Sequence, residues 1–419
     1  MTPAAAGAVE SVFRESWGRA VAALMAAFGD PDLAEESVQD ALATAMEAWP
    51  RDGVPAAPAA WIVATARNRA LDTLRRRAAH GRGLRDLAVT TPAWAAPHDP
   101  DDAPDDPEAD VPDERLRLMF TCCHPALAEE ARVPLTLRLV AGLTVPEIAR
   151  AFLLEEAAVH QRLVRAKRKI REAGIPFRVP PDHLLPERLA GVMAVVYLVF
   201  TEGHAAARGD ALVRADLCAE AIRLGTALRE LMPDEPEVQG LLALMLLTDA
   251  RRAARVDAAG DLVLLADQDR SLWDRERIAR GAAVLVAALR HDAPGPYQVQ
   301  AAIAGLHAAA PSAADTDWRQ IAALYGTLLA MTGSPVVALN RAVAVAEADG
   351  PAEGLRLVDG LTGELEGFAP FHVARAELLA RLGRDADAGE ACRAAIARTA
   401  NAVERRHLER RLARLTAGG

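Results

Sequence analysis

Three groups of residues in this sequence have side chains suited to chemistry or recognition. The first is Cys122-Cys123-His124, soft donors that are contiguous in the chain. Three adjacent ligands do not readily wrap one tetrahedral ion, and no second Cys-x-x-Cys or His-x-x-x-His pair accompanies them, so no metal is expected. The second group is Glu202 with His204, and Asp267-Gln268-Asp269-Arg270 with Trp273, Asp274 and Arg275. A carboxylate, a histidine and an arginine could form a small hydrolytic or ligand site. Yet the chain has no glycine-rich phosphate loop and no nucleophile elbow, so no enzyme activity and no cofactor are expected. These polar clusters read better as hydrogen-bond networks, or as a surface that senses a peptide or a small ligand.

The third group is the most organised. In EEAAVHQRLVRAKRKIREA, Val159, Leu163, Ala166 and Ile170 recur at i, i+4, i+7 and i+11, one buried stripe of a helix. The opposite face presents Ala157, His160, Gln161, Val164, Arg165 and Arg168, with Arg162, Lys167, Lys169 and Arg171 on its flanks. Small and hydrogen-bonding groups followed by bases suit a recognition helix whose first turns meet base edges and whose later turns hold phosphates. The element that positions it is LTVPEIARAF: Thr144 and Glu147 make a capping box, with Pro146 in the first turn and Ile148, Ala149 and Phe152 on the apolar side. A helix-turn-helix is the result.

Three helices are predicted near the start of the chain. Residues 9–28 place Val12, Phe13, Ala20, Leu24 and Phe28 at apolar positions, and Gly29-Asp30-Pro31 ends that helix. The second, from about Asp32 to Trp49, turns Leu33, Val38, Ala41, Leu42, Ala45, Met46 and Trp49 inward and leaves Glu35, Glu36, Gln39, Asp40 and Glu47 polar. The third begins near Ala59, buries Ile62, Ala66 and Leu74, and exposes Arg67, Asn68, Arg69, Asp72, Arg75, Arg76 and Arg77. An acidic helix beside a helix with Trp61 at its start and arginines along it suits docking on a basic protein surface and gripping of melted DNA. A plain three-helix bundle with Trp49 and Trp61 as core residues is the alternative.

Composition frames these readings. The 419 residues predict two to four domains, and 51% hydrophobic but only 4% aromatic residues favour helices packed through small side chains. A net charge of −10 is the wrong sign for coating nucleic acid, so DNA contacts must come from local basic patches. Residues 86–113 are rich in proline and acid without apolar periodicity and read as an extended tether. Four cysteines make no disulfide framework; neither a secretion signal nor a membrane span is expected, and the place is a reducing cytoplasm. Beyond Pro180 the chain is predicted helical, with Asp261–Ala266 as an extended or short hydrophobic turn. Its later segments, DWRQIAALYGTLLAMTGSPVVALNRAVAVAEADG and PFHVARAELLARLGRDADAGEACRAAIARTAN, each pair two helices around a glycine-containing turn, a tetratricopeptide-like pattern. Cys218 and Cys392 are expected as small core residues.

Taken together, AEESVQDALATAMEAWP with AAWIVATARNRALDTLRRR resembles region two of the extracytoplasmic-function (ECF) sigma factors of bacterial RNA polymerase. RLRLMFTCCHPAL with LTLRLVAGLTVPEIARAF and QRLVRAKRKI resembles region four, and YLVFTEGH resembles the YLVFNEGY of members with a long helical extension, with Thr201 and His204 in place of asparagine and tyrosine. The resemblance implies an all-α protein divided into region two (1–85), an acidic linker (86–113), region four (114–178) and an extension (179–419). It implies that Glu35, Glu36, Gln39 and Asp40 face the β′ clamp helices of core polymerase. Trp61, Arg67, Asn68, Arg75, Arg76 and Arg77 would lie along the −10 element of promoter DNA. His160, Gln161 and Arg165 would read the −35 element with Arg162, Lys167 and Arg168 on phosphates, and region four would also meet the β flap. Leu154-Glu155-Glu156 departs from the proline, serine or threonine cap of many relatives, which leaves the helix start open by a turn. The extension is expected to regulate activity through a protein, a small ligand or the sigma regions themselves. A polymerase-independent helix-turn-helix regulator with a repeat sensor domain is the alternative, and an enzyme fused over 190–290 a third.

Overall fold

The computed structural model describes residues 3–82, 111–152, 154–181, 183–206 and 209–417. The tether expected over 86–113 lies outside the described residues apart from its last three, which open a helix. Those described fold as helices and loops, with isolated bridges at Gly209–Asn401 and Val256–Leu262, in keeping with an all-α chain. Two compact units are formed, residues 1–195 and 196–419.

The first unit begins with α1 (Pro3–Phe28), α2 (Pro31–Asp52) and α3 (Pro58–Arg82). Asp30 starts α2 by accepting the backbone N–H groups of Asp32 and Leu33 at 2.9 and 3.3 Å, which satisfies donors that a helix end leaves open. The three helices pack on one another, and Val21 and Leu24 of α1, Val38, Ala41 and Ala45 of α2, and Ile62, Ala66 and Ala70 of α3 are all buried, as is Trp17. Met46 and Leu74, expected in this core, are 50% and 38% exposed. The inward side of α2 runs through Ala41, Leu42, Ala45 and Trp49, which leaves Met46 turned away. On α3, Leu74 lies past Ala70, the last buried position described there.

Then follow α4 (Val111–Cys122), α5 (Glu129–Leu139), α6 (Val145–Phe152), α7 (Glu156–Glu172) and α8 (Leu185–His204). The first half of α8 belongs to the first unit, where Arg188 donates to the carbonyl of Phe120 at 2.8 Å. Cys122 and Cys123 are enclosed in the core, and the Cys123 Sγ lies 3.6 Å from the Thr136 hydroxyl. Burial pushes the Cys123 thiol up to about 11. The α1 helix meets the turn after α5 closely enough to demand glycine. A Cβ on Gly18 would stand 2.4 Å from the Val140 carbonyl oxygen, and one on Gly142 would stand 2.8 Å from the Trp17 ring at a φ of 78°.

The second unit continues α8 into α9 (Ala215–Leu231), α10 (Pro236–Asp249), α11 (Arg275–Leu289) and α12 (Pro296–Ala309). The α10 helix is apolar all round and sits at the centre, with Leu241 to Leu247 buried without interruption. Glu237 near its start accepts the backbone N–H of Tyr297 and of Gln298 at 2.9 and 3.1 Å, so a side chain of α10 caps α12. Asp261–Ala266 is a turn: Leu262 bridges Val256 and Leu265–Asp267 forms one turn of 3-10 helix.

The remaining helices are α13 (Trp318–Thr332), α14 (Pro335–Asp349), α15 (Pro351–Asp359), α16 (Thr362–Leu365), α17 (Ala369–Arg381), α18 (Asp385–Arg398) and α19 (Ala402–Ala417). The two predicted pairs, α13–α14 and α17–α18, turn at Gly333 and Gly383, both at positive φ. A regular spacing joins different helices. From Pro335 to Ala369 and from Pro351 to Asp385 is 34 residues each, so α14–α15 and α17–α18 are the pairs that recur at tetratricopeptide spacing. Their core joins Leu339, Ala342, Leu355, Val358, Phe371, Leu379, Ala388 and Cys392. Cys218 and Cys392 are buried in α9 and α18.

Candidate nucleic-acid interface

The helix-turn-helix is built by its own cap. The Thr144 N–H and hydroxyl both donate to Glu147 Oε2 at 2.7 Å, while the Glu147 N–H donates back to the Thr144 hydroxyl at 3.3 Å. This reciprocal box sets the start of α6. Val159, Leu163, Ala166 and Ile170 are the buried residues of α7, so its exposed face is fixed in turn. His160, Gln161, Arg165 and Arg168 stand exposed on it, and Arg162 is half-buried. Glu155 takes the N-cap position without a side-chain bond, which starts the helix at Glu156.

On α3, Arg67, Asn68, Arg75, Arg76 and Arg77 are exposed along the outer side. Trp61 is half-buried and meets buried Trp49 edge-on, with centroids 5.6 Å apart. Arg75 pairs with Asp72 at 3.1 Å, and Arg77 reaches Asp30 and Glu36 only at 3.8 and 3.9 Å. Such exposed pairs hold little energy and leave the side chains able to exchange partners.

The four positions of α2 expected on polymerase, three acids and Gln39, do not form one surface. Glu36, Gln39 and Asp40 are exposed, whereas the Glu35 side chain is only 13% exposed and faces the region-four helices. Glu35 Oε1 accepts from Arg138 Nε at 2.7 Å and Nη2 at 2.6 Å, and Oε2 accepts from Lys167 Nζ at 2.8 Å. Lys167 also donates to Asp32 at 2.9 Å, and Arg171 pairs with Asp32 and, at 3.5 Å, with Asp30. Arg138 gives a further hydrogen bond to the Leu143 carbonyl at 2.9 Å, while the Trp17 indole donates to the Arg138 carbonyl at 3.0 Å. The Arg138 guanidinium lies 5.3 Å from the Trp17 ring centre. Burial works against the charge on Lys167, but Glu35 and Asp32 outweigh it and raise its pKa. Burial likewise works against ionised Asp32, and Lys167 with Arg171 outweighs it and lowers the pKa.

Two residues therefore stand elsewhere than the sequence suggests. Lys167, expected on phosphates, and Glu35, expected on polymerase, hold each other in this structure. The other residues of the network, Asp32, Arg138 and Arg171, carried no expected role in it. One signal was available: Arg138 is a lone charge inside the apolar run LTLRLV, and a buried arginine needs a partner.

Family comparisons find the same regions in the same order along the chain. Residues 14–80 match Sigma-70 region 2, residues 117–170 match Sigma-70, region 4, and residues 188–289 match a family of unknown function (DUF6596). An uncharacterized protein of Rhizobium meliloti (strain 1021) is 45% identical over 404 residues, which span 95% of this chain and 94% of that protein. No solved structure matches. Among the described residues, no helix is long and apolar enough to cross a membrane. With both sigma regions in order and a helical extension behind them, the chain belongs to the extracytoplasmic-function sigma factors, in the group with a long C-terminal extension.

Proposed function

We propose that this sigma factor reads the −35 element with the exposed face of α7, lies along the −10 element with α3, and docks on core polymerase with α2. The observation that carries this is the α7 face itself. His160, Gln161, Arg165 and Arg168 are exposed together because the apolar stripe behind them is fully used. An exposed fork such as that of Arg165 suits a base edge, and its neighbours suit phosphates. Trp61, Arg67, Asn68 and Arg75 to Arg77 form the corresponding strip for melted DNA. Glu36, Gln39 and Asp40 are the groups of α2 free to meet a basic surface on the β′ clamp helices; region four would also engage the β flap. Glu35 and Lys167 join those surfaces only when α2 and α7 separate.

The C-terminal unit sets the activity of the two sigma regions in this reading. Run-off transcription with purified core polymerase tests the whole of it. Full-length protein should give promoter-specific transcripts, and Glu36→Lys with Asp40→Lys should abolish both transcript and association with core. A chain ending at Val195, where the first unit closes, should transcribe less at equal core saturation. Normal core binding by the folded double variant would remove α2 from the docking surface. Equal activity of the shortened chain would deny the extension its regulatory role.

A further inference from the structure

Arg251 stands just past the end of α10, before the 3-10 turn Arg252–Ala254. It is half-buried, and among the described residues its guanidinium has neither a hydrogen bond nor a carboxylate partner; Tyr325 lies within its electrostatic reach. Every base nearby is accounted for differently. Arg252 pairs with Asp249 at 3.4 Å, and Arg255 donates to the carbonyl of His204 with Glu404 in electrostatic reach. Arg270 donates to the carbonyls of His307 and Ala310 at 2.8 and 2.7 Å. A half-buried guanidinium without a counter-charge loses part of its hydration with no carboxylate in return, so an unmatched one marks a place where an anion belongs.

The groups gathered around Arg251 are donors. His204 from α8, His307 from the last turn of α12 and Tyr325 from α13 all lie within its electrostatic reach. The Nδ1 atoms of His204 and His307 are buried and have no hydrogen-bond partner. Burial, with Arg255 and Arg251 beside it, depresses His204 to about 2; burial, with Arg251 and Arg270, depresses His307 to about 4. Both rings are thus neutral and each can offer one N–H. Burial lifts Tyr325 to about 12, so its hydroxyl keeps its proton. Aromatic rings belong to the same unit: the Tyr197 and Tyr297 rings meet at 5.4 Å, Tyr197 lies within electrostatic reach of Tyr325, and the His307 ring meets Trp318 at 5.1 Å.

We propose that Arg251, Tyr325, His204 and His307 form a binding site in the C-terminal unit for a small ligand bearing a carboxylate or a phosphate. The unmatched guanidinium supplies the charge, the tyrosine hydroxyl and the imidazoles supply directed donors, and the aromatic rings favour a ligand with an apolar body. The site depends on the packing of the C-terminal unit alone, so its failure would leave the sigma-factor reading untouched.

Thermal melting of the full chain tests it, with sodium benzoate and inorganic phosphate titrated against chloride at equal ionic strength. A saturating anion should raise the melting temperature of the wild-type protein by about 5 °C or more. A rise with benzoate alone identifies a carboxylate ligand, and one with phosphate alone a phosphate. Arg251→Met should lose the rise while melting in chloride at the wild-type temperature or above, because an apolar chain of similar length replaces an uncompensated charge. Tyr325→Phe should keep the fold and raise the half-saturating anion concentration about tenfold. The proposal is overturned if neither anion raises the wild-type melting temperature, or if the rise survives in Arg251→Met. It is equally overturned if Arg251→Met melts well below wild type in chloride, since the guanidinium would then be a structural group.

Discussion

Lys167 and Arg251 are both half-buried bases, and the two units treat them in opposite ways. Lys167 touches two carboxylates at 2.8 and 2.9 Å inside a network that also holds Arg138 and Arg171. Arg251 has no carboxylate partner among the described residues, and Tyr325 lies within its electrostatic reach. In the first unit, charges of opposite sign taken out of water are matched against each other, so the arrangement is complete without any partner. In the second, the match is missing among the described residues. The contrast separates a closed electrostatic contact from an open one. The sigma regions hold charged groups that already satisfy one another, whereas the extension has a base without a carboxylate partner among the described residues.

The largest effect is expected at the centre of the closed contact. Glu35→Ala leaves Arg138, 9% exposed, and Lys167, 12% exposed, without their shared carboxylate. Removing one partner of a buried pair costs about 3–5 kcal/mol, and Lys167 retains only its bond to Asp32. The loss should appear as faster hydrogen exchange in α5 and α7, while α10 in the second unit keeps its protection. Unchanged exchange in α7 would mean that the ion pairs decorate a contact held by Trp17, Gly18 and Gly142 alone.

What the sequence made legible here follows the range of the interaction. The capping box of Thr144 and Glu147 and the stripe Val159, Leu163, Ala166 and Ile170 were readable because helix geometry relates residues three, four and seven apart. The network of Glu35 with Arg138 and Lys167 joins positions more than a hundred residues apart, and no local period encodes it. Arg251 was less visible still. It lies in DARRAARVD with two other arginines, and only the fold shows that Arg252 and Arg255 are occupied and Arg251 is not. The polar segment Asp267–Arg275 drew attention as a candidate for chemistry. Its Asp269 and Asp274 accept the backbone N–H groups of Ser271 and Arg277 and so serve as caps.

A middle-sized effect comes from pH and acts on the open cluster. Unfolded, His204 takes up its proton near 6.5; folded, burial and Arg255, Arg251 and Arg252 hold it off to about 2. Between those values the unfolded chain binds more protons, so stability falls as the pH drops below 6.5. His204→Phe, whose ring can keep the stacking on Phe200 at 5.7 Å, removes this term. Its stability should change less between pH 7 and pH 5, by up to about 2 kcal/mol. Urea unfolding at the two pH values measures the difference, and part of the slope should remain because His307 is depressed in the same sense. Identical slopes in the two proteins would show that His204 meets water or a counter-charge, which would also weaken the case for a positive field around Arg251.

The smallest effect is expected at the rim of the closed contact. Arg171 pairs with Asp32 and Asp30, but its side chain is 40% exposed, and water shares both partners. Burial opposes its charge, but Asp32 and Asp30 together outweigh it and raise its pKa. An exposed pair of this kind is worth about 0–1 kcal/mol and is screened by salt. Arg171→Gln should therefore cost under about 1 kcal/mol in thermal unfolding at low salt. The difference from wild type should vanish near 1 M ionic strength, where the screening length falls to about 3 Å. Glu35→Ala should keep most of its deficit under the same salt, because its partners are shielded by protein. If Arg171→Gln cost as much as Glu35→Ala, burial would not be what gives these charges their weight. The expectation that a half-buried Arg251 calls for an anion would then lose its physical basis.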